Sequence, residues 1–258
     1  MIRTTFENGV FELELCGPPC NEIGSVLTQE LEGVLAELRA KNPKAMIVHS
    51  SLESGFCAGA DLRELYREAS KRPSEQTQRE LADFLDRIHR VMNTIDTLPF
   101  PTLGVIHGPC FGGGFELALT MDVLIAEPDA RFCFPELRLG IVPGFGGIPR
   151  LRRDVGNALI RDLLFTGRSI GVEKAIAAGL VSQPAAKGKG LSVARKMAQQ
   201  MAKYDASALA SSKSFIKPIP LDELEREKSL FLQMFQSPVV LEGLRKFVES
   251  QDLRPYLA

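Results

Sequence analysis

Apolar residues recur along the chain at strand and helix spacings, in blocks separated by turn signals. Residues 2–6 and 10–15 flank Asn8-Gly9, a pair whose tolerance of positive φ predicts a tight turn between antiparallel strands. Val26, Leu27, Leu31, Val34, Leu35 and Leu38 then follow at the spacing of one apolar helix face, with Ser25 as the expected N-cap. Residues 45–49 read as a buried strand. A long helix is predicted over 80–96, with Leu81, Phe84, Leu85, Ile88, Val91, Met92 and Ile95 inward, ending before Pro99 and Pro101. Residues 102–107 form the next strand. Gly112-Gly113-Gly114 opens a short helical run over 115–120, and a strand at 123–126 closes on the turn Glu127-Pro128-Asp129.

Strands alternating with helices predict an α/β fold. From Gly156 onward the pattern becomes helix after helix, over 158–165, 192–203 and 221–235. A soft boundary near residue 195 divides a core, 1–195, from a helical region, 196–258. Leu230, Phe231, Leu232, Met234 and Phe235 wrap most of the last of these helices. That exceeds a single core-facing stripe and predicts a subunit contact. The polar segment 67–78, which carries Pro73, is expected to be a surface loop.

With 258 residues, 45% of them hydrophobic, the chain can bury a substantial core. Lysine and arginine number 31 against 32 acidic residues and are scattered, which excludes the basic footprint of a nucleic-acid binder and favours a small-molecule substrate. Cys16, Cys20, Cys57, Cys110 and Cys133 are odd in number and lack Cys-x-x-Cys spacing, so reduced thiols in the cytoplasm are expected rather than disulfides or zinc. The N-terminus carries no basic region with an apolar run behind it, and no stretch reaches the ~18 apolar residues of a membrane span. A soluble, unprocessed chain follows. His49, His89 and His107 lack ligand spacing and are read as structural.

Two glycine turns are candidate chemistry. In residues 56–62, Phe-Cys-Ala-Gly-Ala-Asp-Leu, small side chains let the backbone approach a ligand, and Asp61 can cap the helix that begins there. In residues 108–116, three glycines entering a helix expose unpaired N–H groups able to hold an oxyanion. On pattern alone such glycines are more often just tight strand-to-helix connections. The phosphate-binding spacings Gly-x-x-x-x-Gly-Lys-Ser/Thr and Gly-x-Gly-x-x-Gly are absent at the expected places. Glu116 falls on the first helical turn beside the loop. Glu136 sits in the apolar setting Phe132-Cys133-Phe134-Pro135-Glu136-Leu137, where burial raises a carboxyl pKa. Two acids in dry surroundings suit proton transfer, although Glu116 could merely favour a helix start and Glu136 cap a turn. Cys57 and Cys110 border the site without a histidine beside them and read as packing residues.

Residues 56–62, the block 112–122 with Glu-Leu-Ala and Asp122, and Phe134-Pro135-Glu136-Leu137-Arg138-Leu139-Gly140-Ile141-Val142-Pro143-Gly144 occur in order, followed by Thr166-Gly167-Arg168 and Ala178-Gly179-Leu180-Val181. Together they resemble the crotonase, or enoyl-CoA hydratase/isomerase, superfamily over nearly the whole chain. The resemblance implies a spiral of ββα turns with a C-terminal helical module that builds homotrimers, often paired into hexamers. It places a thioester carbonyl between the backbone N–H groups of Ala60 and Gly113, with Ala58, Ala60 and Leu62 contacting coenzyme A. Coenzyme A is then a substrate carrier, and no cofactor or metal is implied. Both hydratase carboxylates are matched, which implies addition or removal of water at the 2,3 bond of an enoyl thioester: Glu136 protonates C2 and Glu116 activates the water that reaches C3.

Three stretches depart from the family pattern. Gly146-Gly147-Ile148-Pro149-Arg150 stands where many relatives read Gly-Gly-Thr-Gln-Arg, the C-terminal 249–255 lacks a Glu-Lys-Arg-Pro run, and Pro18-Pro19-Cys20-Asn21-Glu22-Ile23 replaces an Asn-Ala-Leu stretch. A carrier-protein thioester therefore stays open beside free coenzyme A. So do an isomerase, a dehydratase of branched or carboxylated acyl groups and, from a different class, a non-catalytic binding protein.

Overall fold

The computed structural model describes residues 1–70 and 75–250. β1 (Ile2–Glu7) and β2 (Val10–Leu15) pair antiparallel across Asn8 and Gly9, both at positive φ. α1 (Ser25–Lys41), β3 (Ala45–Ser50), α2 (Leu62–Ala69), α3 (Glu75–Asp96) and β4 (Thr102–Ile106) follow. The middle of the chain holds β5 (Pro109–Phe111), α4 (Gly113–Ala118), β6 (Val123–Ala126), β7 (Arg131–Cys133) and a 3-10 turn over Glu136–Leu139. Then come α5 (Gly147–Val155), α6 (Asn157–Thr166), β8 (Ile170–Gly171), α7 (Val172–Ala177), β9 (Gln183–Pro184) and α8 (Gly190–Met201). α9 (Ala206–Ile216), α10 (Leu221–Phe235) and α11 (Pro238–Glu249) end the described chain.

Six strands form one sheet in the order β1-β2-β3-β4-β6-β9, parallel except for β1, and β5-β7-β8 form a smaller one. Every residue of β3 is buried, as expected of a parallel strand covered on both faces. Its alternation sorts the two layers. Met46 and Val48 join the main core with Leu27, Leu31, Leu85 and Ile88 of α1 and α3. Ala45 and Ile47 face the opposite layer, where Ala194 and Ala198 of α8 let that helix approach closely. Glu127 fastens α8 by accepting from the N–H groups of Gly188 and Gly190, 2.7 and 2.9 Å away. A carboxylate at a helix N-terminus is favoured by both the free N–H groups and the helix dipole. Position 195 falls inside α8. Among the described residues no helix is long and apolar enough to cross a membrane.

Three expectations change. Gly24, not Ser25, caps α1, and the capping group comes from elsewhere: Glu64 of α2 accepts from the Ser25 N–H at 3.0 Å and from its hydroxyl. Most of the segment 67–78 is not loop. α2 runs through Ala69 and α3 starts at Glu75, where Glu75-Arg79 and Gln76-Glu80 pairs at i, i+4 supply the support that apolar periodicity does not. The part at 71–74 lies outside the described residues, as does the end of the C-terminal stretch beyond 250. The late helix does not spend its apolar wrap only on an outside contact. Phe231 is buried within this chain, and a Cβ on Gly144 would come within 2.5 Å of its ring.

Candidate active site

The two glycine turns lie side by side. The Cys57 N–H donates to the Pro109 carbonyl and the Phe111 N–H to the Cys57 carbonyl, each at 3.0 Å. This close lacing needs Gly114, because a Cβ there would fall 2.5 Å from the Cys57 carbonyl oxygen. A parallel bridge to Ile23 uses the Gly59 carbonyl and the Asp61 N–H, which leaves the intervening Ala60 N–H pointing the other way. Gly113 opens α4, so its N–H has no intrahelical acceptor. These two free N–H groups are neighbours: a Cβ on Gly113 would lie 3.3 Å from the Ala60 nitrogen. Asp61 caps α2 as expected, accepting from the N–H groups of Arg63 and Glu64.

Glu116, on the first turn of α4, is almost fully buried, and its Oε1 accepts from the N–H groups of Phe145 and Gly147, both at 2.8 Å. Burial pushes its carboxyl up to about 7, while those two N–H groups and the Arg150 charge pull it back. Glu136 opens the 3-10 turn after Pro135, also buried, and its Oε2 has no hydrogen-bond partner among the described residues. Burial, and next the charge of Glu116, drive its carboxyl well above the ordinary range. The environments thus differ for two chemically identical groups: two N–H donors favour the charged form of Glu116, and none among the described residues reaches Glu136 Oε2.

Ala58, Ala60, Leu62, Gly113, Glu116 and Glu136 line one cavity of about 30 Å³, room for a water molecule between polar groups. The sequence-derived site residues are therefore brought together. Ala58 contributes by its wall position, since its N–H is already donated to the Cys20 carbonyl at 2.9 Å. Phe145 and Phe231 also line the cavity, and their ring partners Phe84 and Phe235, 5.9 and 5.6 Å away between centroids, line a larger, mostly apolar groove of about 580 Å³. Burial pushes the Cys57 and Cys110 thiols up, so neither is poised as a thiolate. His89 and His107 bond the carbonyls of Gly144 and Leu52 through Nε2, the structural role expected of them. Among the described residues no cluster of His, Cys, Asp or Glu is arranged to hold a metal ion.

Gly112 holds a further constraint. Its φ is +47°, and a Cβ there would meet Glu136 Oε1 at 2.5 Å. Gly112→Ala is expected to displace that carboxyl and lower kcat by about 10²-fold, the scale of a misplaced catalytic group. Steady-state kinetics beside a melting curve checks this; an unchanged kcat in a folded variant overturns it.

Two residues of the site escaped sequence reasoning. Arg150, wholly buried, donates to the Phe145 and Gly146 carbonyls, and Glu227 of α10 accepts from the N–H groups of Gly146 and Ile148. A signal for Glu227 does exist in the sequence, for it stands between Leu224 and Phe231 on the buried face of its helix, where a charge is out of pattern.

Neighbouring backbone N–H groups beside two buried carboxylates are an arrangement able to hold an oxyanion and to transfer protons. The family model for enoyl-CoA hydratase/isomerase matches residues 5–254. The protein named probable enoyl-CoA hydratase in Bacillus subtilis is 31% identical, covering 97% of this chain and 96% of its own. Methylglutaconyl-CoA hydratase of Rattus norvegicus is 32% identical over 91% of this chain and 75% of its own. The crystal structure of an enoyl-CoA hydratase from Bacillus halodurans superposes with a TM-score of 0.84 at 25% identity, covering 95% of this chain and 98% of that one. This chain belongs to the enoyl-CoA hydratase/isomerase family, within the crotonase superfamily, and is an enzyme of the hydro-lyase type.

Proposed function

We propose that this site hydrates the 2,3 double bond of an enoyl thioester, or dehydrates the 3-hydroxyacyl form, with Glu116 as general base and Glu136 as general acid. The thioester oxygen lies between the N–H groups of Ala60 and Gly113. Glu116 takes a proton from water, the hydroxide adds to C3, the electron pair moves onto the thioester oxygen as an enolate, and Glu136 delivers its proton to C2. Each N–H donor stabilises the developing oxyanion by about 3 kcal/mol. The observation that carries the reading is the unequal footing of the two carboxylates: Glu116 is held by two N–H groups, while Glu136 has a free, buried oxygen.

Coenzyme A is the carrier of the substrate, with Ala58, Ala60 and Leu62 along its path, and a carrier-protein pantetheine fits the same chemistry. A homotrimer or pair of trimers is proposed from α9, none of whose residues is buried within the chain and whose Phe215 and Ile216 are exposed. The division into a catalytic core, 1–195, and a helical assembly region, 196–258, belongs with it. Five free cysteines fit a cytoplasmic setting.

The test is loss of enoyl absorbance when the protein meets crotonyl-CoA, with the product's mass read in parallel. Gain of one water supports the proposal. A shifted double bond at unchanged mass identifies an isomerase instead, and inertness toward straight, branched and carrier-bound enoyl thioesters overturns it.

A further inference from the structure

The loop from Gly144 to Ile148 is gripped from two sides. Four consecutive N–H groups alternate between two carboxylates: Phe145 and Gly147 donate to Glu116 at 2.8 Å each, while Gly146 and Ile148 donate to Glu227 at 2.7 and 2.8 Å. Gly146, at φ +101°, makes the sharp turn into α5, and the free amides at this helix start are shared between the two carboxylates. Glu227 is 6% exposed and is carried by α10, a helix remote in sequence from either catalytic carboxylate. A buried carboxylate costs free energy unless its hydrogen bonds are satisfied, and burial together with the nearby Glu116 drives the Glu227 carboxyl well above its usual range. A less costly residue at this position would be apolar, like its neighbours Leu224 and Phe231 on the same face.

We infer that Glu227 is a positioning residue for the general base: by holding the Gly146 and Ile148 amides it fixes the loop in the register that presents the Phe145 and Gly147 amides to Glu116. Arg150 holds the Phe145 and Gly146 carbonyls from one side, and Glu227 holds the N–H groups of Gly146 and Ile148; without Glu227 the peptides keep only the carbonyl grip, and the donors presented to Glu116 are less fixed. Glu227 itself touches neither the cavity of about 30 Å³ nor the groove beside it. Its effect passes through the loop. The inference rests on the proposed role of Glu116.

The experiment is a double-mutant cycle on the full-length protein with crotonyl-CoA, using Glu227→Gln, Glu227→Met, Glu116→Gln and the pairs. Gln keeps one acceptor and Met keeps none. A kcat lowered about 10-fold by Gln and about 10²-fold by Met, with KM and melting behaviour close to the parent, is the expected result. In the Glu116→Gln background either change is expected to cost nothing further, because residues that act as a unit are not additive. Equal losses in both backgrounds overturn the inference, as does an unchanged kcat in the Glu227 variants. If Met does not fold, Gln carries the test alone; if Gln does not fold either, Glu227 is structural and the inference fails. Should Glu116→Gln by itself keep the parent rate, the role of Glu116 fails first, a result distinguishable from failure at Glu227.

Discussion

Glu116→Gln and Glu136→Gln proteins are expected to fold like the parent and to hydrate crotonyl-CoA about 10²- to 10⁴-fold more slowly, each having lost one proton-transfer group. In Glu116→Gln the amide oxygen can still accept from Phe145 and Gly147, so the loop stays in place while the base is gone. The parent's rate should depend on pH with two limbs. It rises as Glu116 loses its proton near pH 7, and it falls at higher pH as Glu136, whose carboxyl lies well above the ordinary range, ionises. Stability runs against this. Both groups bind protons more tightly folded than unfolded, so their contribution is fully present below the unfolded carboxylate value of about 4.3 and is lost for Glu116 as pH rises through about 7. The Gln variants are therefore expected to melt above the parent, by a wider margin at pH 8 than at pH 5. Kinetic pH profiles and melting curves on the same preparations decide it. A full rate in either folded variant removes that residue from the chemistry.

Arg150→Ala is the substitution expected to cost most in stability. The guanidinium has no exposure and meets Asp96 at 2.8 Å, the Asn93 side chain at 2.5 Å, and the Phe145 and Gly146 carbonyls at 3.0 and 3.2 Å. Desolvation pushes the Asp96 carboxyl up, but Lys217, Arg150 and Arg153 together bring it below the ordinary carboxylate range. Truncation removes the guanidinium donors from the Phe145 and Gly146 carbonyls, opens a cavity and takes away one of those cations. The expected loss is about 3–5 kcal/mol, a large share of the roughly 5–15 kcal/mol that holds a domain folded. Arg150→Lys should recover little, since an ammonium cannot reproduce the planar fork across four acceptors. Urea titration measures both. A loss for Ala within ~1 kcal/mol would falsify the view that this ion cluster braces the catalytic loop.

Much of this architecture was legible because each long element satisfies a local rule. The hairpin followed from Asn8-Gly9, and α1 and the body of α3 from 3.6-residue periodicity. β3 was readable as a run buried on both faces. Ala60, Gly113, Glu116 and Glu136 came from glycine turns and acids, weighted by family resemblance. What escaped was set by tertiary partners. The first turn of α3 is polar all round, so it carries no apolar period. The two- and three-residue strands of the smaller sheet are too short to alternate visibly. No residue of α9 is fully buried within its own chain, and the N-terminus of α1 is capped by a carboxylate 39 positions away. The partners of Arg150 and Glu227 come from distant parts of the chain, which no local pattern records.

The grip on residues 145–148 rests on backbone amides alone, which divides what this segment can and cannot tolerate as it diverges. Ile148 and Pro149 stand in it at no expense to either carboxylate, because the Ile148 side chain takes no part and the proline nitrogen is not called on. The half-buried Ile148 side chain is free to drift, but Gly146 and Gly147 are not: a Cβ on Gly146, at φ +101°, would come within 2.5 Å of Leu224, and one on Gly147 within 2.9 Å of Glu116. Length is constrained as well: one inserted residue would shift the amides beyond it away from the carboxylates they now meet. The segment is open to substitution at Ile148 and closed to it at the two glycines.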